Sequence, residues 1–158
     1  MGQVVFRLAA MLLIGVLLGC DSAKYEDVRA LPRYAALMDG EFRTRRALQL
    51  IGISTDRNYK PVVEYRLLVG TPGIAGPEVV ERLPLLAGSR VKVVEITRCT
   101  NCLVAPVRIQ IRIGPGDTVG DTPLFLDDRG NLLMGGGDDE PLTLNPDLFE
   151  RIETQQYP

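Results

Sequence analysis

The chain has 158 residues, a formal net charge of −2, 46% hydrophobic residues and 6% aromatic residues. That length suits one domain with a real core, and the near-neutral charge argues against gross disorder and against a nucleic-acid partner. The chain contains no histidine, which excludes a Ser-His-Asp triad, a Cys-His pair, a histidine general base and a His-ligated metal.

Glycine at 16 and proline at 11 favour a turn-rich β protein over a helical one. Charge is unevenly spread. Residues 21–112 hold 15 Lys+Arg against 10 Asp+Glu, whereas residues 113–158 hold 2 against 10. The acidic C-terminal part is expected to pack over the basic part. A basic face could otherwise receive anionic lipid head groups or a cell-wall polymer, and an acidic face could receive cations.

In chain order, Met1–Gly19 reads as a secretion signal. Arg7 and the terminal amine form a thin positive region, and Leu8–Leu18 is an apolar run too short for a confident membrane span. Leu17-Leu18-Gly19-Cys20 then resembles the lipobox of bacterial lipoproteins. The resemblance covers only the first twenty residues. It implies cleavage before Cys20, a diacylglyceryl group on the Cys20 thiol, and a mature protein held to a membrane by two or three acyl chains. It places the protein in the bacterial envelope, facing the periplasm. Asp21, directly after the cysteine, resembles the inner-membrane retention signal of enteric bacteria. With Cys20 assigned to the lipid, Cys99 and Cys102 remain as an even pair, which suits a disulfide in an oxidising compartment.

The expected organisation is a signal peptide over 1–19, a tether over 20–39 and one β domain over 40–158. A short helix is expected to start near Pro32, since proline is tolerated in the first turn. Strands are expected over Arg45–Ser54, Pro61–Val69 and Glu78–Leu86, with a loop over 70–77. That loop lacks the spacing and the Lys-Ser/Thr of a phosphate-binding P-loop. Ala87-Gly88-Ser89 turns the chain into the most regular segment, a hairpin over Arg90–Ile113.

In Val107–Ile113 the apolar and polar residues alternate without a break, so this strand has one buried and one wet face. Its partner, Arg90–Arg98, breaks phase near Val94–Glu95. Burial favours a register pairing Val93 with Ile109, Val91 with Ile111 and Lys92 with Gln110. A two-residue turn at Thr100-Asn101 would set Cys99 opposite Cys102, within disulfide reach. Both hold if a bulge lies near Ala105-Pro106. The CxxC pair reads as a structural staple; a redox pair wants its first cysteine at a helix N-terminus, and zinc wants four ligands.

Further on, Pro123–Leu126 and Asn131–Met134 read as a second hairpin, and Asn145-Pro146-Asp147 as the start of a short helix through Ile152. The acidic loops offer oxygen ligands in two sets, Asp127, Asp128 and Asn131, and Asp138, Asp139 and Glu140. Neither has EF-hand spacing, and both read as solvated loops. No carboxylate pair stands out as general acid and base, so no enzyme activity and no cofactor are expected.

These elements imply a mainly β domain, a small antiparallel barrel or sandwich with short helical segments near each terminus. The segment LLAGSRVKVVEI, Leu85–Ile96, resembles the aliphatic–Gly–x–x–V–x–V lead of SH3-like barrels, which makes that barrel the best single expectation. The expected function is a lipid-anchored, non-catalytic binding or scaffolding module, whose partner is an envelope protein or cell-wall polymer. The alternatives are a thiol–disulfide redox protein using Cys99 and Cys102, and an envelope protein binding a ligand or cation.

Overall fold

The computed structural model describes residues 22–55, 61–69, 76–103, 107–114, 119–127, 131–135 and 140–152. The strands are β1 (Tyr25–Asp27), β2 (Glu41–Thr44), β3 (Leu48–Ile53), β4 (Glu64–Leu68), β5 (Val79–Leu85), β6 (Arg90–Cys99), β7 (Val107–Ile113), β8 (Leu124–Leu126), β9 (Leu133–Met134), β10 (Thr143–Leu144) and β11 (Phe149–Ile152). A single 3-10 turn, Pro32–Tyr34, leads into the one-turn helix α1, Ala35–Met38, beside the proline that announces it. No helix among the described residues is long and apolar enough to cross a membrane.

Nine strands make one sheet in the order β11-β2-β6-β7-β8-β4-β3-β5, with β1 added to β6, while β9 and β10 form a separate ribbon. The path is open, running from β11 to β5, and mixed, because β8 lies parallel to β4 and antiparallel to β7. The expected hairpin of Pro123–Leu126 with Asn131–Met134 is therefore corrected. Leu124 and Leu126 are buried, and a strand buried on the core side gains more between two sheet neighbours than in an isolated ribbon.

The sheet buries one face. Leu50 and Leu67, Val93 and Ile111, and Ile96 and Ile109 are directly opposed pairs, all buried. Val28, Tyr34 and Leu37 from the N-terminal segment close over this face, as do Leu132, Leu142, Leu144 and Leu148. Burying each such side chain contributes about 1.5–3 kcal/mol. Residues Tyr25–Met38, expected within a tether, are thus paired with and packed against the sheet.

Strand β6 keeps the expected faces but not the expected register. Val91 pairs with Ile113, Val93 with Ile111 and Lys92 with Arg112; the register then shifts between Val93 and Glu95, and Ile96 pairs with Ile109. The break in phase at Val94 is itself a β-bulge. One extra residue there lets Val91, Val93 and Ile96 all face inward, as burial requires. The expected bulge at Ala105-Pro106 falls on residues 104–106, outside the described residues. The last ladder pair is Arg98–Val107; beyond it the Cα of Cys99 lies 5.7 Å from that of Cys102 across Thr100-Asn101, the expected apposition, and on its other edge Cys99 pairs with Tyr25 of β1.

The β5–β6 connection is a corner rather than a hairpin turn. Thr44, 2% exposed, fixes it: its hydroxyl donates to the Leu86 carbonyl at 2.8 Å and accepts from the Ser89 amide at 3.0 Å. The backbone of Thr44 bonds Ser89 and Gly88, and Gly88 takes the φ of 85° that favours glycine. Gly52 serves another purpose: a Cβ there would come within 2.8 Å of Val62. With that space left open, the Tyr65 hydroxyl reaches from β4 across β3 to Glu81 of β5, donating at 2.6 Å.

The expected helix near the C-terminus is also corrected. Asn145 does cap a turn, accepting on Oδ1 from the Asp147 amide at 2.9 Å, but the chain then extends as β11 along β2. So short a helix is marginal in water, whereas a strand on a sheet edge gains a ladder and buries Phe149. Glu150 sits 3.5 Å from Arg43 and 3.8 Å from Arg45, so this stretch of the acidic part does lie against the basic one.

The assigned inner face makes a direct prediction. Leu50→Ala should cost about 2–5 kcal/mol as a buried truncation, while Leu86→Ala, at a residue 66% exposed, should stay within about 0.5 kcal/mol. Urea denaturation of both variants checks this; equal midpoints would contradict the assignment.

Candidate functional site

Two regions bring chemistry-bearing side chains together. The first is the end of β6, where the chain's N-terminal strand meets the disulfide. Cys99 and Cys102 are bonded, with their Cα atoms 5.7 Å apart. Cys99 is 2% exposed and ends a strand, so it has neither the exposure nor the helix N-terminus that activates a redox thiol. Asn101, between the cysteines, receives the Lys24 amide on Oδ1 at 2.7 Å and donates from Nδ2 to the Ser22 carbonyl at 3.1 Å. The Thr100 amide donates to the Lys24 carbonyl at 2.9 Å. The cystine loop therefore holds the first described residues of the chain.

Charged pairs reinforce this union along β1. The Arg98 guanidinium donates to Glu26 at 3.0 Å. Arg29 grips Asp27 and donates to the carbonyl of the bulge residue Val94 at 3.3 Å. Hydrogen bonds from the Arg29 side chain, then from its amide, hold the Asp27 carboxyl below its ordinary value of 3.8. A depressed carboxylate pKa contributes stability that is complete above that ordinary value and is lost as pH falls through the depressed one. Both partners are half exposed, so salt screens the effect.

The second region is the outer face of the sheet, which alternation along β7 predicts to be wet. Arg108 lies 4.1 Å above the Phe125 ring and 5.4 Å from the Tyr25 ring, and donates to Glu64 at 3.0 Å. Glu64 also accepts from Arg66 at 2.7 Å, and Arg66 approaches the buried Asp127 at 3.8 Å. Farther along β6 and β7, Lys92 stands directly opposite Arg112. Neither forms an ion pair among the described residues. They line a shallow recess of about 150 Å³ with Arg90 and Glu41, which are 3.7 Å apart. Three cations against one carboxylate suit an anionic group there.

Among the described residues the acidic loops bring no comparable set of charged side chains together. Asp127 is buried beside Arg66, the main-chain carbonyl of Asn131 accepts from Asn145 Nδ2, and Asp128, Asp138 and Asp139 lie outside the described residues. Among the described residues no three His, Cys, Asp or Glu side chains are placed to hold a metal. Cys20 also lies outside the described residues. The Asn101 clasp and the Glu64–Arg108 pair are not visible in the sequence, since each joins residues 44 or more positions apart. The chain matches no family model, no curated protein and no solved structure.

Two outcomes follow from the clasp. Replacing both Cys99 and Cys102 by Ala should lower the unfolding free energy by about 2 kcal/mol, the loop-closure value for so short a ring, as read from denaturant midpoints. Asn101→Ala should speed tryptic cleavage after Lys24 in the folded protein; unchanged cleavage would show that the clasp does not hold the segment.

Proposed function

We propose that this chain is a lipid-anchored, non-catalytic binding or scaffolding module of the bacterial envelope, facing the periplasm. The observation that carries the proposal is the apolar run ending in Leu17-Leu18-Gly19-Cys20. Two features support it. A cystine persists where the surroundings are oxidising. Ser22 and Ala23 are exposed, so a lipid two residues earlier would leave the packed core undisturbed. Asp21 favours retention at the inner membrane.

The binding surface in this reading is the outer sheet face around Arg90, Lys92 and Arg112, and the partner is an anionic envelope polymer or protein. The architecture would be related to small SH3-like barrels. In support, Arg43–Arg90 and Leu48–Leu85 belong to one continuous antiparallel register that passes through the Thr44 corner, and such bends turn strands from one layer into the next.

Cys20→Ala should move the protein from the membrane fraction to the soluble fraction of bacteria that express it. A variant still sedimenting with membranes after a high-salt wash would refute the lipid anchor.

A further inference from the structure

Resting on the lipid anchor at Cys20, we propose that the cystine loop is a second membrane contact, inserting Leu103 into the bilayer interface and fixing the orientation of the domain. Leu103 follows the cystine and is 108% exposed, more than any other large apolar side chain among the described residues. An isolated exposed leucine is ordinary. This one is placed by the two hydrogen bonds between Asn101 and the Ser22–Lys24 backbone.

Chain geometry sets the distances. In sequence Cys20 is two residues before Ser22 and Leu103 two after Asn101, so only short stretches of chain separate the acylated residue and the loop tip from the two sides of the clasp. A thiol bearing acyl chains must sit at the membrane surface, and it therefore holds the loop tip there as well.

The surrounding residues suit that depth. Tyr25, 42% exposed, pairs with Cys99 beside the loop, and tyrosine favours the head-group level. Lys24 is exposed on the same segment, and a cation near the surface is drawn to anionic lipids. The disulfide lets the apolar tip project as a preformed wedge rather than a loop that must be ordered on contact. The cationic recess at Arg90, Lys92 and Arg112 is then displayed away from the bilayer, since β6 runs about 30 Å from Arg90 to Cys99.

The chain has no tryptophan, so Leu103→Trp supplies a single reporter at an exposed site that the fold does not need. The control is Leu86→Trp, at the opposite end of β6. The full-length lipidated protein is reconstituted into phosphatidylethanolamine–phosphatidylglycerol vesicles with brominated acyl chains. The L103W protein should emit blue-shifted light and be quenched by the bromolipid, while the L86W protein should keep a water-like emission. Water-like emission from vesicle-bound L103W protein overturns the second contact and leaves the anchor standing. A blue shift of the L103W protein that develops only when envelope proteins are added also overturns it, in favour of a protein partner. Absence of lipid on wild-type protein, with release from the vesicles, overturns the anchor and this inference together.

Discussion

Strand β6 is the constraint on which the structure depends. It pairs with β7 along nearly its whole length, with β2 at one end and with β1 at the other. Its inward residues Val91, Val93 and Ile96 are fully buried. A strand committed on both edges and on one face has a single acceptable register, because a slip of one residue would present Lys92, Glu95 and Thr97 to the core. The extra residue at Val94 is absorbed as a bulge, and Arg29 then uses the bulge's carbonyl to fasten the N-terminal segment.

The same strand joins the two candidate regions. Its Cys99 end carries the cystine and the clasp on Ser22 and Lys24; its Arg90 end carries the cationic recess beside Arg112. A chain tethered through its N-terminus would therefore hold one end of β6 near its attachment point and display the other. This division follows from strand length and pairing alone. The charged outer face between the two ends is held in place by Glu64, which accepts from both Arg66 and Arg108. These pairs are part-buried, and their effect is to fix where the positive charges point.

Local pattern made part of this readable in the sequence. The alternation in Val107–Ile113 marked β7 to the residue, and Pro32 marked the start of the helical turn. The break at Val94–Glu95 carried a bulge on β6 that a register argument starting from the turn does not find. Non-local pairing was not readable. Nothing in Leu124-Phe125-Leu126 says that it lies parallel to β4, and the capping signal at Asn145 is real but serves one turn before a strand. The cysteines were identifiable as a pair from their number and spacing, whereas the clasp that Asn101 makes with the N-terminal segment depends on β1 joining a strand about seventy residues away.

The central claim is that a lipid on Cys20 and a cystine at the end of β6 act together at one end of a β domain outside the cytoplasm. Mass spectrometry of the protein purified from native bacterial membranes tests it most directly. The account predicts a polypeptide that begins at Cys20, carries acyl mass on that residue, and yields Cys99 and Cys102 as a linked cystine peptide. A chain that still begins at Met1, or a Cys20 without acyl mass, would contradict it.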